Sequence, residues 1–306
     1  MKQSTITKIS DKFERSSLAQ RERLAYIEFR LLFLGDVRRQ DLMQRFGIAP
    51  AAATRDFTFY RELSPNNIDL EGSTKIYVLG SDFQPLFEHN VERVLITLSR
   101  GFGDGIGQIQ DALLSCELPP ILNRPSIDIL APITRAIHQK RAIRMSYFSH
   151  TSGLSKREIV PFALANDGLR WHVRAFDRKS GEFRDFVFTR MEATQLLIDS
   201  LPNKNELPDQ DHQWNRVVEL DVVPHPDRAH PEIIERDYGM LDGVLHLKMR
   251  AALAGYVLRQ WQVDCSKNHC IEDFGCRLWL RDVLVLYGVD SAVLALGYSK
   301  SGLERA

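Results

Sequence analysis

The sequence lacks any long hydrophobic run. Its first 17 residues, MKQSTITKISDKFERSS, contain no apolar run, and its longest apolar stretches have only the length of a strand. A bilayer-spanning helix needs about 20 predominantly apolar residues, and an export signal needs an apolar core near the N-terminus. We therefore expect a cytoplasmic protein that has no membrane partner.

Cysteine is also scarce, with four residues among 306. Cytoplasmic cysteines are normally reduced thiols, so disulfide bonds are not expected. Three of the four, Cys265, Cys270 and Cys276, cluster around His269, and cysteine and histidine are the usual zinc ligands. The cluster has no CxxC pair and no second pair of ligands, so its spacing favours free thiols over a zinc site. We predict no metal and no cofactor.

An excess of either charge sign is absent as well, because 40 Lys and Arg residues balance 40 Asp and Glu residues. A uniformly basic coat is therefore excluded, and any nucleic-acid surface must come from local clustering of charge. The sequence contains no Walker loop, GxSxG elbow, HExxH motif or kinase signature. The glycine-rich stretch 101–107 has no strand before it and no Lys-Ser/Thr after it, which indicates a turn. We do not expect an enzyme.

The length and the pattern of elements predict an α+β multidomain protein of two or three domains. Residues 1–90 have the pattern of a winged helix-turn-helix, and residues 91–130 that of a helical connector. Residues 131–200 contain several short alternating strands, which favour a small β-barrel or a strongly curved sheet. Residues 201–306 have the order of a small α/β domain and begin with a polar, proline-containing linker over 201–214.

The N-terminal domain is predicted from its helix boundaries. An amphipathic helix ends at Gly35, a short second helix ends at Gly47, and Pro50 stands at the start of a third helix. Two strand-like runs, NIDLEG and TKIYVLG, follow and are joined around Gly72 and Ser73. Three helices followed by a hairpin is the order of a winged helix-turn-helix.

The third helix is the candidate DNA-binding element. If Ala53, Phe57 and Tyr60 form its buried stripe, a polar face lies opposite. Arginine reads guanine edges with two hydrogen bonds, and threonine hydroxyls contact phosphates or bases. An ordinary solvated helix face is the alternative, but the position after two helices and a turn favours DNA. The predicted DNA contacts are Thr54, Arg55, Thr58, Arg61 and, on the wing, Lys75.

A second candidate surface lies in the strand-rich middle of the chain. Residues 137–190 contain eleven Lys and Arg residues but only five Asp and Glu residues. Strand alternation places Arg170, His172 and Arg174 on one face. The next run, EFRDFVFTRM, is also predicted to be a strand, and the residues that share one of its faces are Arg184, Phe186, Phe188 and Arg190. Such a pattern suits phosphate pairing combined with base stacking. A solvated sheet face whose aromatic residues pack on neighbouring helices is the alternative.

Residues 146–191 resemble a WYL domain, a Sm/SH3-like small β-barrel found in bacterial regulators. The triplet that names the domain falls on Trp171-His172-Val173, of which only the tryptophan matches literally. The stretches RWHVRAFD and TRDFTFYREL are similar to regulators associated with phage-defence islands, including those of BREX and CBASS systems. In that subgroup a winged helix precedes the WYL domain and a C-terminal extension follows it, so the resemblance covers nearly the whole chain.

The resemblance implies a homodimeric transcriptional regulator. We expect a repressor that binds double-stranded operator DNA at an inverted repeat, with activation of transcription as an alternative. The resemblance also implies that the WYL domain senses a nucleic-acid fragment or a nucleotide. Phe162 stands where the family often carries histidine. The alternative is an accessory nucleic-acid-binding protein that modulates a defence effector and uses its winged helix for protein contact. The pocket residues implied by the resemblance are Tyr147, Ser149, Trp171, His172, Arg174, Arg184 and Arg190.

Overall fold

The computed structural model describes residues 13–14, 16–102, 112–120, 123–271 and 275–299. These residues form two compact units, which divide the chain between Pro119 and Pro120. No helix in the described ranges is both long enough and apolar enough to cross a membrane.

The described part of the first unit contains four helices and one three-stranded antiparallel sheet with the strand order β1-β3-β2. In chain order, the elements are α1 (Leu18–Leu34), β1 (Asp36–Val37), α2 (Arg39–Phe46), α3 (Pro50–Leu63), β2 (Ile68–Glu71), β3 (Ile76–Leu79) and α4 (Val91–Arg100). The predicted order of three helices and a hairpin is confirmed. Strand β1 was not predicted, because two residues are too few to show a hydrophobic period.

The helix ends in this unit follow from single residues. Gly35 and Gly47 end α1 and α2 with φ angles of 83° and 61°, a left-handed conformation that only glycine adopts without steric cost. Pro50 occupies the first turn of α3, where its missing N–H leaves no hydrogen bond unmade. All three predicted boundaries are confirmed.

The core of the first unit lies between α1, α3 and the wing, which is the hairpin of β2 and β3. Leu24, Ile27 and Leu31 of α1 are fully buried, as the apolar spacing of that helix requires. Phe57 of α3 stacks on Tyr77 of β3 with ring centroids 4.0 Å apart and planes 7° apart. Burying each large apolar side chain stabilises the fold by about 1.5–3 kcal/mol, so this core holds α3 and the wing together.

The second unit begins with a helix that packs on a five-stranded antiparallel sheet of strand order β7-β6-β5-β4-β8. Ile133 and Ala136 of the helix are fully buried against the sheet. Of the predicted connector 91–130, the described residues contain α4 and the first turn of this helix. The elements are α5 (Ile127–Gln139), β4 (Ala142–Ser149), β5 (Gly153–Asn166), β6 (Trp171–Asp177), β7 (Glu182–Val187) and β8 (Met191–Leu197).

The sheet curls, although its paired strands do not close. The Tyr147 hydroxyl on β4 accepts a hydrogen bond from the Val187 N–H at 3.2 Å, and its ring meets Phe186 edge-on at 5.0 Å. These contacts join β4 to β7, which are not neighbours in the sheet. Within the described residues no backbone pairing links β7 to β8. A closed Sm/SH3-like barrel is therefore not confirmed and stays a prediction.

The run EFRDFVFTRM is not one continuous strand, contrary to the prediction. Strand β7 ends at Val187, and a 3₁₀ turn (Phe188–Arg190) leads into β8. Because the turn breaks the two-residue period, Arg184 and Arg190 do not share a strand face. The turn instead places Phe188 in the core of the sheet.

The C-terminal part of the second unit has a four-stranded mixed sheet of strand order β10-β9-β12-β11 with helices packed on it. The predicted alternation of strands and helices agrees with it. Its elements are α6 (His212–Asn215), β9 (Val217–Pro224), α7 (Pro231–Asp237), β10 (Leu245–Arg250), α8 (Ala251–Gln260), β11 (Val263–Asp264) and β12 (Leu278–Leu280).

Residues 201–214 are not a free linker, which corrects the prediction. They form two 3₁₀ turns and the start of α6. Glu206 and Asp211 in this segment are buried and pair with Arg178 and Arg174 of the five-stranded sheet. The polar side chains of this segment suggest solvent exposure in the sequence, but two of them neutralise the buried Arg174 and the half-buried Arg178.

Candidate DNA-binding and ligand-binding surfaces

Helix α3 presents the polar face that its sequence predicts. Ala53, Phe57 and Tyr60 are buried, which confirms the predicted stripe, while Arg55 and Arg61 are exposed on the opposite side. The Arg61 guanidinium lies 5.7 Å from the ring centroid of Tyr77 on the wing. Both guanidinium groups are therefore displayed to solvent on a helix whose back is fixed by the core.

The two predicted threonines use their hydroxyl protons inside the helix. Thr54 Oγ1 donates to the carbonyl of Pro50 at 3.0 Å, and Thr58 Oγ1 donates to that of Thr54 at 3.0 Å. Thr58 is exposed and Thr54 is half-buried. Their hydroxyl oxygens keep lone pairs, so they act as acceptors or as packing groups against a DNA backbone.

The structure adds a cation that the sequence analysis missed. Arg39, at the start of α2, is exposed and approaches Thr54 Oγ1 to 3.5 Å with its Nη1 atom. The preceding residue, Arg38, is exposed as well. The adjacent pair is visible in the sequence, but the predicted DNA contacts lie only on the third helix and the wing. Only the packing of α2 on α3 shows that it extends the basic face.

Lys75 stands at the tip of the wing. It occupies the turn between β2 and β3 with a φ of 59°, and its N–H bonds the Glu71 carbonyl at 2.9 Å. Its side chain is exposed. The position suits a phosphate contact beside the groove that α3 would enter.

A buried carboxylate anchors the back of α3. Glu28 of α1 is fully buried and accepts the Tyr60 hydroxyl of α3 at 2.9 Å. It also accepts the N–H groups of Leu86 and Phe87 at 2.8 and 2.9 Å and contacts His89 Nε2 at 3.0 Å. The carboxylate thus has four hydrogen-bond partners, and these offset the free-energy cost of burying its charge. This hub links α1 and α3 to the segment that leads into α4.

In the second unit, the predicted ligand residues fall into two groups. One group is buried: Tyr147 faces the core of the sheet, and His172 and Arg174 face the C-terminal part of the unit. The other group is accessible: Ser149 and Arg190 are half-buried, whereas Trp171 and Arg184 are exposed, with 45% of the Trp171 surface accessible. The structure therefore does not gather all seven residues into one pocket.

The accessible cations have local partners. Arg184 Nη2 lies 2.6 Å from the exposed carboxylate of Glu182, and such a solvated pair contributes little to stability. Arg190 Nη2 donates to His150 Nε2 at 2.8 Å, at the turn where Ser149 also lies. Neither partner is buried, so both guanidinium groups can exchange their partners for a phosphate at little cost.

His172 and Arg174 lie on the opposite face of β6 from Val173 and Ala175, as alternation predicts. His172 Nε2 lies 2.8 Å from Asp167 Oδ2, and its ring packs on Tyr256 of α8 at 5.2 Å. Burial alone would raise the pKa of Asp167, but hydrogen bonds from His172 and two backbone N–H groups outweigh it and hold that pKa below its usual value.

Arg174 is clamped by two carboxylates. Its Nε and Nη2 atoms reach Asp211 at 2.8 and 3.1 Å, and its Nη1 atom reaches Asp185 at 3.2 Å. All three groups are largely buried. Burial raises the pKa of Asp185 above its usual value, against the opposing charges of Arg174 and His172. The face predicted to bind a ligand is thus covered by the segment that leads into the C-terminal sheet.

Phe162 lies in the same seam, which is the contact region between the five-stranded sheet and the C-terminal part of the unit, formed there by segment 201–214 and α8. Its ring meets Phe183 edge-on at 6.0 Å and Trp214 of α6 edge-on at 5.6 Å. The phenylalanine that replaces the histidine common in the resembled family therefore serves an apolar contact with the 201–214 segment.

The cysteine cluster is divided by burial. Cys265 and Cys276 are buried, whereas Cys116 and Cys270 are exposed. Burial raises the pKa of the Cys265 thiol to about 12, so this thiol stays protonated at neutral pH. In the part of the chain that the structure describes, no group of three or more His, Cys, Asp or Glu residues is arranged to hold a metal ion.

Three family models match successive parts of the chain. Residues 19–100 match the winged helix-turn-helix domain of the BrxR transcriptional regulator, and residues 128–196 match the WYL domain. Residues 217–284 match the C-terminal dimerization domain of the BrxR transcriptional regulator. The three matches follow the three folded regions described above in the same order.

Curated relatives extend over most of the chain. The DNA-binding transcriptional repressor CapW of Escherichia coli (strain KTE188) is 32% identical over 261 residues, covering 82% of this chain and 85% of that protein. CapW of Pseudomonas aeruginosa is 32% identical over 256 residues, covering 80% and 83%. CapW of Stenotrophomonas maltophilia is 31% identical over 254 residues, covering 80% and 84%. The chain belongs to the CapW family.

Membership of the CapW family confirms the resemblance to regulators with a winged helix, a WYL domain and a C-terminal domain. It also makes the chain a member of a family of regulators, in line with the missing enzyme signatures. Among solved structures, proteasome accessory factor B/C (PafBC) of Arthrobacter aurescens aligns over 89% of this chain and 46% of its own, at 18% identity and a TM-score of 0.27. A TM-score this low does not show a shared overall fold.

Proposed function

We propose that this chain represses its own phage-defence operon by binding an inverted-repeat operator as a homodimer. The observation that carries the proposal is the exposed face of α3, where Arg55, Thr58 and Arg61 stand over a rigidly packed core. The relatives named DNA-binding transcriptional repressor support it, and so does the match of residues 217–284 to a dimerization domain. Two-fold symmetry in the protein favours a palindromic site with one half-site for each winged helix.

The same proposal assigns a sensor role to the central domain, which would bind a nucleic-acid fragment or a nucleotide. The predicted residues support it through their chemistry, because Arg184 and Arg190 offer cations to the phosphate of a nucleotide and Trp171 offers an aromatic surface to its base. A ligand acts on repression only if it binds one conformation of the dimer more tightly than the other. In this proposal, the ligand favours a conformation whose winged helices no longer match the half-site spacing.

The test is a fluorescence-anisotropy titration of the full chain against duplex DNA from immediately upstream of its own gene. A scrambled duplex of equal length serves as competitor at near-physiological salt. We expect a preference for the upstream duplex of about a thousandfold or more, as specific DNA-binding proteins display. Equal, strongly salt-dependent binding to both duplexes would contradict the repressor and favour the accessory nucleic-acid-binding protein instead.

A further inference from the structure

We propose that Asp211 is an internal occupant of an anion-binding site at Arg174, and that a phosphate-bearing ligand binds there by displacing it. The proposal rests on the sensor role proposed above and concerns how that sensor is held closed. Asp211 belongs to the segment between the two sheets of the second unit, so its displacement would act on the chain that enters the dimerization domain.

The geometry at Arg174 is that of anion recognition. Two parallel N–H donors of one guanidinium meet two oxygens of one carboxylate, at 2.8 and 3.1 Å. The same fork of donors fits two oxygens of a phosphate, which is why arginine recurs in phosphate sites. Asp211 therefore holds the position that a phosphate group of a ligand would take.

Of the two carboxylates on Arg174, Asp211 is the exchangeable one. Asp185 lies on β7, directly opposite Arg174 in the strand pairing, and cannot leave without opening the sheet. Asp211 stands outside both sheets, at the N-terminus of the four-residue helix α6, where it also accepts the N–H groups of Gln213 and Trp214 at 3.1 Å each. Moving it disturbs one short turn and no strand.

The two carboxylates on Arg174 are one more than a single guanidinium can neutralise. Two buried carboxylates face a single guanidinium, and the burial of Asp185 already disfavours its ionised form. A ligand phosphate that takes the place of Asp211 would return that carboxylate to water and keep Asp185 as the fixed partner of Arg174. Exchange of one anion for another avoids leaving a buried arginine unpaired, which is the costly step in opening such a site.

Two buried polar atoms in the same seam have no protein partner among the described residues. They are His172 Nδ1 and Asp185 Oδ1. Tyr256 of α8 links their residues, because its ring packs on His172 and its hydroxyl lies 3.4 Å from Asp185 Oδ2. A buried polar atom without a partner is destabilising. The closed seam thus retains hydrogen-bonding capacity beside Arg174 that a polar ligand can satisfy.

The decisive variant is Asp211→Asn. Asparagine is as good a helix N-cap as aspartate, so α6 should persist, while the negative charge that competes for Arg174 is gone. The probe is a short fluorescent oligothymidylate with a 5′-phosphate, titrated by anisotropy into the full chain. We expect the variant to bind it at least about fivefold more tightly than the unaltered protein, as a typical coupling free energy between a site and its regulator would give.

Asp209→Asn is the matched control, because Asp209 is an exposed carboxylate in the same segment. It should bind the probe as the unaltered protein does, which shows that a general loss of negative charge is not the cause. The double variant Arg174→Gln/Asp211→Asn should lose the gain, since the gain passes through Arg174. Equal or weaker binding by Asp211→Asn, or a gain that survives Arg174→Gln, would overturn the proposal.

Absence of probe binding by every variant would overturn it too. Operator binding by the same preparation of unaltered protein separates this result from a failure of the repressor. If that protein still prefers its upstream duplex, the proposed repressor stands and only the site at Arg174 is lost.

Discussion

Helix α3 and strand β6 both carry polar side chains on one face, but the face of α3 is exposed and that of β6 is buried. On α3, Arg55 and Arg61 are exposed. On β6, His172 and Arg174 are buried, with only 4% and 6% of their surfaces accessible. A periodic pattern therefore identifies a polar face but does not indicate whether water or another part of the chain covers it.

The cause of the difference is the number of layers around each element. Helix α3 packs on α1, α2 and the wing, and within the described residues of its unit Arg55, Thr58 and Arg61 stay exposed on the other side. Strand β6 is packed on both faces: Val173 and Ala175 lie in the sheet core, and segment 201–214 with α8 covers the other face. Polar groups between two layers must pair with one another, because burial without a partner is costly.

The largest expected effect comes from removing one arginine from the covered face of β6. Arg174→Ala leaves Asp185 and Asp211 buried without their cation and should lower the free energy of unfolding by about 3–5 kcal/mol. Arg184→Ala, whose ion pair with Glu182 is exposed, should cost less than about 1 kcal/mol. Urea denaturation followed by circular dichroism measures both. Similar small losses in the two variants would mean that the buried clamp is not a stabilising contact.

A second prediction tests the paired acids of the covering segment through pH. The hydrogen bonds from Arg178 to Glu206, at 2.7 and 2.9 Å, hold the pKa of Glu206 below its ordinary value of 4.5. Glu206→Gln should lower the free energy of unfolding by about 1.5–3 kcal/mol at pH 7.

A group with a depressed folded pKa stabilises the protein above its unfolded pKa, and that contribution disappears as the pH falls through the folded value. The gap between Glu206→Gln and the unaltered protein should therefore stay constant from pH 7 to about pH 5 and close below about pH 4.5. Urea titrations across this range measure it. A gap that is unchanged at pH 3 would show that the loss at neutral pH comes from packing and not from the ion pair.

The smallest expected effects concern the exposed face of α3. Arg55→Ala and Arg61→Ala should each weaken operator binding by about 1–3 kcal/mol if the guanidinium contacts a base, with stability nearly unchanged. Lys75→Ala is the control for a backbone contact: it should weaken binding to all duplexes alike and reduce the salt slope by about one. Competition anisotropy at several salt concentrations measures these values. Unchanged affinity in both arginine variants would remove α3 from the DNA interface.

Much of the first unit was predictable from local signals. Gly35 and Gly47 mark helix ends because glycine adopts the left-handed conformation without steric cost, and Pro50 marks a helix start because its fixed φ suits the first turn. The stripe of Ala53, Phe57 and Tyr60 follows from helical spacing alone. What local signals did not predict is the two-residue strand β1 and the approach of Arg39 to α3, because both arise from packing between elements.

In the second unit, the strands, their alternating faces and the local excess of positive charge could be predicted from the sequence. That Glu206 and Asp211, from a segment outside the charged stretch, neutralise part of that excess is visible only in the folded structure. The physical reason is that alternation and composition are properties of neighbouring residues, whereas the solvation of a charge depends on every group that folding brings within a few ångströms of it.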